Sequence, residues 1–203
     1  MTVKHYKVRT WRFNFYHQNY LGYHTFYFTL LGVVPMNKRT RYLVQAAIIA
    51  ALYAVLTHLQ NILLPGSATW AIQMRMSEAL SVLAFFTPAA AMGLAVGCLI
   101  FNLTFAAALP LDWLVGSLAT LAATAAMWSL RRVLTAGYPL AGMLMPAVFN
   151  AVLVGWELSV YIGGGFWLNA LYVAIGELIV LLVFGPLLYR VIKKRRLDQR
   201  LFQ

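Results

Sequence analysis

Two glutamates, Glu157 and Glu177, stand inside the apolar run GWELSVYIGGGFWLNALYVAIGEL of residues 155–178. A carboxylate at membrane depth costs on the order of 2.5–3.5 kcal/mol on insertion scales, so such residues turn inward toward partners or a cavity. Carboxylates and side-chain amides can hydrogen-bond a bound molecule, and aromatic rings can stack on a flat one. Both kinds of residue are at hand. Asn150 stands seven positions before Glu157 and Asn169 eight before Glu177, so each pair shares roughly one helical face. Trp156, Tyr161, Trp167 and Tyr172 are expected to surround them. Arg75 with Glu78, Asp112 behind Pro110, and Asn102 complete the candidate binding set.

Each candidate has a plainer reading. Arg75 and Glu78, three apart, can pair on one helix. Asp112 can cap a helix N-terminus. Trp113, Tyr161 and Trp167 fall where interfacial aromatic belts form. The asparagines can bridge helices, and His58 reads as an interfacial polar residue. Cys98 is the single cysteine; it offers no disulfide framework and no metal-ligand spacing, and reads as a small buried residue.

The chemistry that is missing narrows the classes. No G-x-x-x-x-G-K-[ST] occurs, and the dipeptide Gly-Lys never appears, so this chain carries no ATPase of that type. There is no nucleophile elbow and no H-E-x-x-H. No catalytic residue, metal or cofactor is expected.

The elements that hold these residues belong in lipid. Of 203 residues 62% are hydrophobic and 10% charged, with a mean hydropathy of +0.74. A soluble domain cannot hide that much apolar surface. Six hydrophobic segments follow one another, roughly 42–63, 69–86, 89–108, 112–130, 139–161 and 166–190, and most approach the ~20 residues of a bilayer-crossing helix. Pro65-Gly66-Ser67, Thr87-Pro88, Pro110, Gly137-Tyr138-Pro139 and Gly163-Gly164-Gly165 separate them. The second segment, which contains Arg75 and Glu78, is short; its first turns can instead be a loop folded into the protein.

The net charge of +11 does not point to nucleic acid, because the cations collect at the ends of apolar runs. Lys38, Arg39 and Arg41 precede the first segment. Arg131 and Arg132 follow the fourth, and Arg190, Lys193, Lys194, Arg195, Arg196 and Arg200 end the chain. Six spans put all three clusters on one side, as the positive-inside rule requires. The expectation is therefore an all-α, six-span membrane bundle with both termini cytoplasmic. Every acid except Asp198 falls in the outer half, around an outward-opening pocket.

Two further features frame the bundle. Ala46, Ala50 and Ala54 repeat at every fourth position of the first segment, with Ala47 and Ala51 beside them; such columns allow close helix approach within the bundle or by another subunit. Residues 1–35 hold four basic residues and ten aromatics but no apolar core long enough for a span. They read as an extension ahead of a natural-looking start at Met36, or as a basic-aromatic segment in the headgroup region.

The stretches RMSEALSVLAFFTPAA (75–90), LPLDWLVGSLATLAA (109–123) and GWEL…FWLNALYVAIGEL (155–178) resemble the queuosine-precursor transporters. These are substrate-binding S components of energy-coupling factor (ECF) importers. The likeness runs from about Met36 to Arg196. It implies a six-helix S-component bundle in the bacterial cytoplasmic membrane. It implies a pocket for a 7-deazaguanine such as preQ1, and an Ala-x-x-x-Ala face at Ala46, Ala50 and Ala54 against a transmembrane coupling subunit. Two cytoplasmic ATPases would power uptake. Glu157 or Glu177 would take the guanine-like edge, and Trp156 or Trp167 the ring. Asn150 and Asn169 would take the carbonyl or ring nitrogens, with Asp112 near the mouth. Two transport alternatives stay open: a stand-alone proton-coupled transporter with Glu177 as relay, and an S component for another vitamin. A membrane-embedded enzyme would need a nucleophile or metal set that is not visible. The single midplane acid and the lack of an inverted repeat favour the ECF reading.

Overall fold

The computed structural model describes residues 37–67, 72 and 74–202; the expected extension of residues 1–35 lies outside them. The elements run α1 (Lys38–Leu63), a 3-10 helix (Met76–Phe85), α2 (Ala89–Thr104), α3 (Asp112–Leu130), the single turn α4 (Leu140–Met143), α5 (Met145–Tyr161), α6 (Phe166–Lys194) and the short α7 (Leu197–Leu201). In lipid every backbone polar group must bond within its own segment, which is why an apolar chain of this kind is helical. The outward faces are greasy: Leu59, Val152, Leu182 and Val183 are all exposed. That arrangement suits a protein whose solvent is hydrocarbon.

Among the described residues four helices are long and apolar enough to cross a membrane: Lys38–Leu63, Asp112–Leu130, Leu140–Tyr161 taken through its break, and Phe166–Lys194. The break falls at Leu144, where Pro146 enters the first turn of α5; a proline lacks the N–H that would continue the earlier turn. Two of the six expected spans come out shorter. Among the described residues of segment 69–86 the helical part is Met76–Phe85, a 3-10 helix. At ~2.0 Å per residue its ten residues rise ~20 Å, short of a ~30 Å hydrocarbon core. The segment 89–108 stops at Thr104, where Phe105 turns to extended backbone ahead of Pro110. Its sixteen residues rise ~24 Å.

Helices α1 and α2 run side by side in the same direction. Gly93 lies against Ala46 and Ile49, Gly97 against Ala50 and Tyr53, and His58 Nε2 is 2.9 Å from Thr104 Oγ1. The approach is backbone to backbone: a Cβ at Gly97 would sit 2.7 Å from Tyr53 Cβ and 2.8 Å from Ala50 O. Small residues four apart on both helices make that possible. The alanine columns therefore divide their duties. Ala50 and Ala54 are buried within the chain and Ala46 is half-buried, whereas Ala47 and Ala51 are exposed. Ala46 and Ala50 of the column expected to meet another subunit pack on α2, and together with Ala47 they also line an open groove.

The apolar core has two centres. One gathers Phe85, Leu94, Met127, Met143 and Ile192 toward the end where the cations lie. The other packs Val115, Ala119, Val154, Leu158 and Val173 nearer the opposite end. Asp112, Glu157 and Glu177 lie on the helices of this second centre, whereas Glu78 is bonded by Tyr53, a member of the first.

Candidate functional site

A stripe on α1 positions the site. Tyr53, Thr57 and Gln60 are spaced four and three apart and are all buried, so they share one face. Tyr53 donates its hydroxyl to Glu78 Oε1 at 2.5 Å. Thr57 Oγ1 is 2.7 Å from Ser77 Oγ. Gln60 accepts the Met76 N–H at 2.7 Å and donates to Met74 O and to Ser67 Oγ at 2.9 Å. This face thus pins the start of the 3-10 helix and fixes where Arg75 and Glu78 enter the interior.

Arg75 is the hub. It is buried, its Nη1 reaches Cys98 Sγ at 3.8 Å, and its guanidinium lies over the Phe101 ring, 5.8 Å from the centroid. It interacts electrostatically with Glu78 and Asp112, with Glu157 and with Glu177. These four buried carboxyls come from the 3-10 helix, α3, α5 and α6.

Their hydrogen bonds are unequal. Asn150 Nδ2 donates to Glu177 Oε1 at 2.6 Å, which links α5 to α6; Glu177 Oε2 is buried with no partner among the described residues. Glu157 is 0% exposed and both its carboxylate oxygens likewise lack partners there, with the Asp112 carboxyl beside it. Asn102 Nδ2 donates to Asp112 O at 2.7 Å, and its Oδ1 is also without a partner among the described residues. Asp112 Oδ2 accepts the Leu109 N–H at 2.8 Å. It therefore closes the turn before α3 from the first position of that helix, whose N-cap residue is Leu111. The unmet buried groups of the predicted set are all acceptor oxygens. A buried acceptor left alone costs on the order of 1–3 kcal/mol, so this arrangement is suited to receive a donor-rich molecule.

Other predicted residues lie elsewhere. Asn169 is buried, but its Nδ2 is used on Gly163 O at 2.7 Å and Gly165 O at 3.1 Å. It braces a loop in which Gly163, Gly164 and Gly165 all take positive φ, a conformation that favours glycine. Trp167 is 83% exposed, and Trp156 and Tyr161 are 49% and 42% exposed. They do not surround the carboxylates as expected. Adjacent helical residues point about 100° apart, so Trp156 looks outward where Glu157 looks inward, and the rings fit an interfacial belt. Among the described residues the aromatic rings shown in contact with the cluster are Tyr53 and Phe101, both fully buried. The sequence reading missed them, although the Tyr53–Thr57–Gln60 spacing on an apolar helix was a usable signal.

An integral membrane bundle that holds unmet acceptors in its interior has the makings of a carrier of small molecules. The chain belongs to the QueT transporter family, whose family model matches residues 43–194. It is a multi-pass membrane transport protein. Searches of curated proteins and of solved structures returned no match.

Proposed function

We propose that this chain is the substrate-binding S component of an ECF importer and captures a cationic 7-deazaguanine such as preQ1 from outside the cell. Membership of the QueT transporter family supports import of a queuosine precursor. The observation that carries the substrate reading is a set of four acceptor oxygens without partners among the described residues: Glu157 Oε1 and Oε2, Glu177 Oε2 and Asn102 Oδ1. A 7-deazaguanine presents N1–H and a 2-amino group side by side, a donor pair that one carboxylate accepts through two parallel bonds. Glu157, with both oxygens unmet, takes that edge. Four carboxyls gathered around one guanidinium also favour a ligand with a positive charge. The aminomethyl group of preQ1 carries one; the nitrile of preQ0 does not. Glu177 Oε2 serves the ammonium, and Phe101 or Tyr53 packs on the ring.

In this reading residues 36–203 form one six-crossing domain. The parallel course of α1 and α2 supports it, because the intervening segment must carry the chain back across the bundle. All three basic clusters then face the cytoplasm with both termini, in the cytoplasmic membrane of a bacterium. A transmembrane coupling subunit docks on the apolar groove of about 170 Å³ between α1 and α2, lined by Ala46, Ala47, Ala50 and Gly93, and two cytoplasmic ATPases supply the energy.

The test is a binding titration of the purified chain against preQ1, preQ0, queuine, guanine and thiamine, repeated with Glu157→Gln and Glu177→Gln. Tightest binding of preQ1, weakened in both variants, is expected. No binding of any deazapurine overturns the substrate, and full affinity in both variants overturns the carboxylate assignment. Uptake into vesicles should need the coupling subunit and ATP. Uptake by the chain alone that collapses with the proton gradient would make it a proton-coupled transporter instead.

A further inference from the structure

At the basic end of the bundle a second cavity, of about 390 Å³, opens between the loop after α3 and the end of α6. Gly137, Tyr138, Tyr189, Arg190, Lys193 and Lys194 line it. The loop side is shaped by a tight turn in which Thr135 and Tyr138 form an isolated bridge and Ala136 and Gly137 take positive φ. That turn presents the Tyr138 hydroxyl to Arg190, whose Nε and Nη2 donate to it at 2.8 and 2.5 Å. The guanidinium is thereby held in one orientation at the cavity wall. Lys193 is engaged by Asp198 at 2.9 Å, and no acid among the described residues pairs with the other cations of the lining, Arg190 and Lys194.

We propose that this cavity binds the phosphate-bearing headgroup of an anionic phospholipid. Depth argues for a lipid. Helix α6 has 29 residues, ~43 Å at 1.5 Å per residue, so Arg190 to Lys194 stand beyond one edge of a ~30 Å hydrocarbon core, at headgroup level. The surroundings argue for it too. The two segments that form the cavity also carry exposed Val133 and Leu134 on one side and exposed Leu187 and Val191 on the other, apolar surface on which acyl chains can lie. A guanidinium fork and a lysine match a phosphodiester in charge and geometry, and basic pockets at the ends of membrane helices are suited to anionic headgroups. The tyrosine pair, Tyr138 and Tyr189, with ring centroids 5.8 Å apart, supplies the amphipathic wall usual at this depth. The inference rests on membrane placement and stands apart from the identity of the transported molecule.

Native mass spectrometry of the full chain, delipidated in detergent and titrated with phosphatidylglycerol or phosphatidylcholine, tests it. One phosphatidylglycerol should be retained per chain in preference to phosphatidylcholine. Retention should fall about fivefold for each cation removed in Arg190→Gln and Lys194→Gln. The charge-keeping Lys194→Arg should retain the lipid, and unchanged elution on size exclusion establishes that the variants are folded. Equal retention of the two lipids overturns the proposal, as does undiminished retention in the folded Arg190→Gln, Lys194→Gln double variant. Displacement of the lipid by millimolar inorganic phosphate would assign the cavity to free phosphate, and so would overturn it as well.

Discussion

At the basic end of the bundle polar groups close on one another. Gln45 accepts from Thr87 at 2.9 Å and donates to Leu201 O at 2.8 Å, Tyr138 receives Arg190, and Lys193 meets Asp198. Toward the other end the polar groups are more deeply buried and less well served. Among the described residues neither Glu157 oxygen finds a partner, and Glu177 and Asn102 each keep an oxygen unmet. Packing alone would produce the reverse, since an unmet group costs little where water reaches it and much where water does not. The buried polar groups near the basic end are finished by the chain's own residues, and those of the acid cluster are left for something else.

The sharpest way to break this comparison is to make the acid cluster self-sufficient. Glu157→Gln and Glu177→Gln each remove a charge-assisted bond worth about 1.5–3 kcal/mol, so the Kd for preQ1 should rise about 10- to 100-fold. The same changes remove a desolvated carboxylate, and the empty protein should melt no lower, or a few degrees higher. Calorimetry and thermal unfolding in one detergent read both. Affinity and stability falling together would mean that the glutamates are structural, and the contrast between the two ends would dissolve.

The next effect belongs to the helix contact that frames the site. Gly97→Val pushes a side chain into Tyr53 and the Ala50 carbonyl, and overpacking of this kind costs about 1–3 kcal/mol. Because Tyr53 holds Glu78, the variant should lose melting temperature and affinity together, unlike the glutamate variants. An unchanged melting temperature would show that α1 and α2 do not close as tightly as described.

What the sequence revealed follows from how far each signal reaches. Hydropathy and basic punctuation identify long helices well because lipid imposes them one segment at a time. They handled α1, α3 and α6 and left 69–86 open between a short span and a loop, because its structure depends on Gln60 and Thr57 of another helix gripping Met76 and Ser77. Acid placement found Glu78, Asp112, Glu157 and Glu177 because a carboxylate within an apolar run is tolerated only when it turns away from lipid. Proximity in sequence misplaced Trp156 and Trp167, since neighbours along a helix diverge in direction. The alanine columns were visible, but which of them faced α2 depended on Gly93 and Gly97, forty-odd positions away.

The smallest expected effect lies at Asp198, the one carboxylate among the basic residues of the chain's last turns. The Lys193 ammonium donates to it and holds its carboxyl below the usual carboxylate range. A folded-state value depressed in this way contributes stability that is fully present above the unfolded value of about 4. That stability is lost as pH falls through the lower folded value. The pair is partly exposed, with the Lys193 side chain 52% accessible, so its worth is about 0.2–1 kcal/mol. Asp198→Asn should therefore lower stability near neutrality by no more than that and flatten the acid limb of the unfolding curve below about pH 4. It also releases Lys193, so that all three cations of the basic cavity lack an acid partner among the described residues. Retention of phosphatidylglycerol should rise, by about fivefold at most, while affinity for the transported molecule stays the same. Separate movement of the two readouts would show that the ends of the bundle serve different ligands.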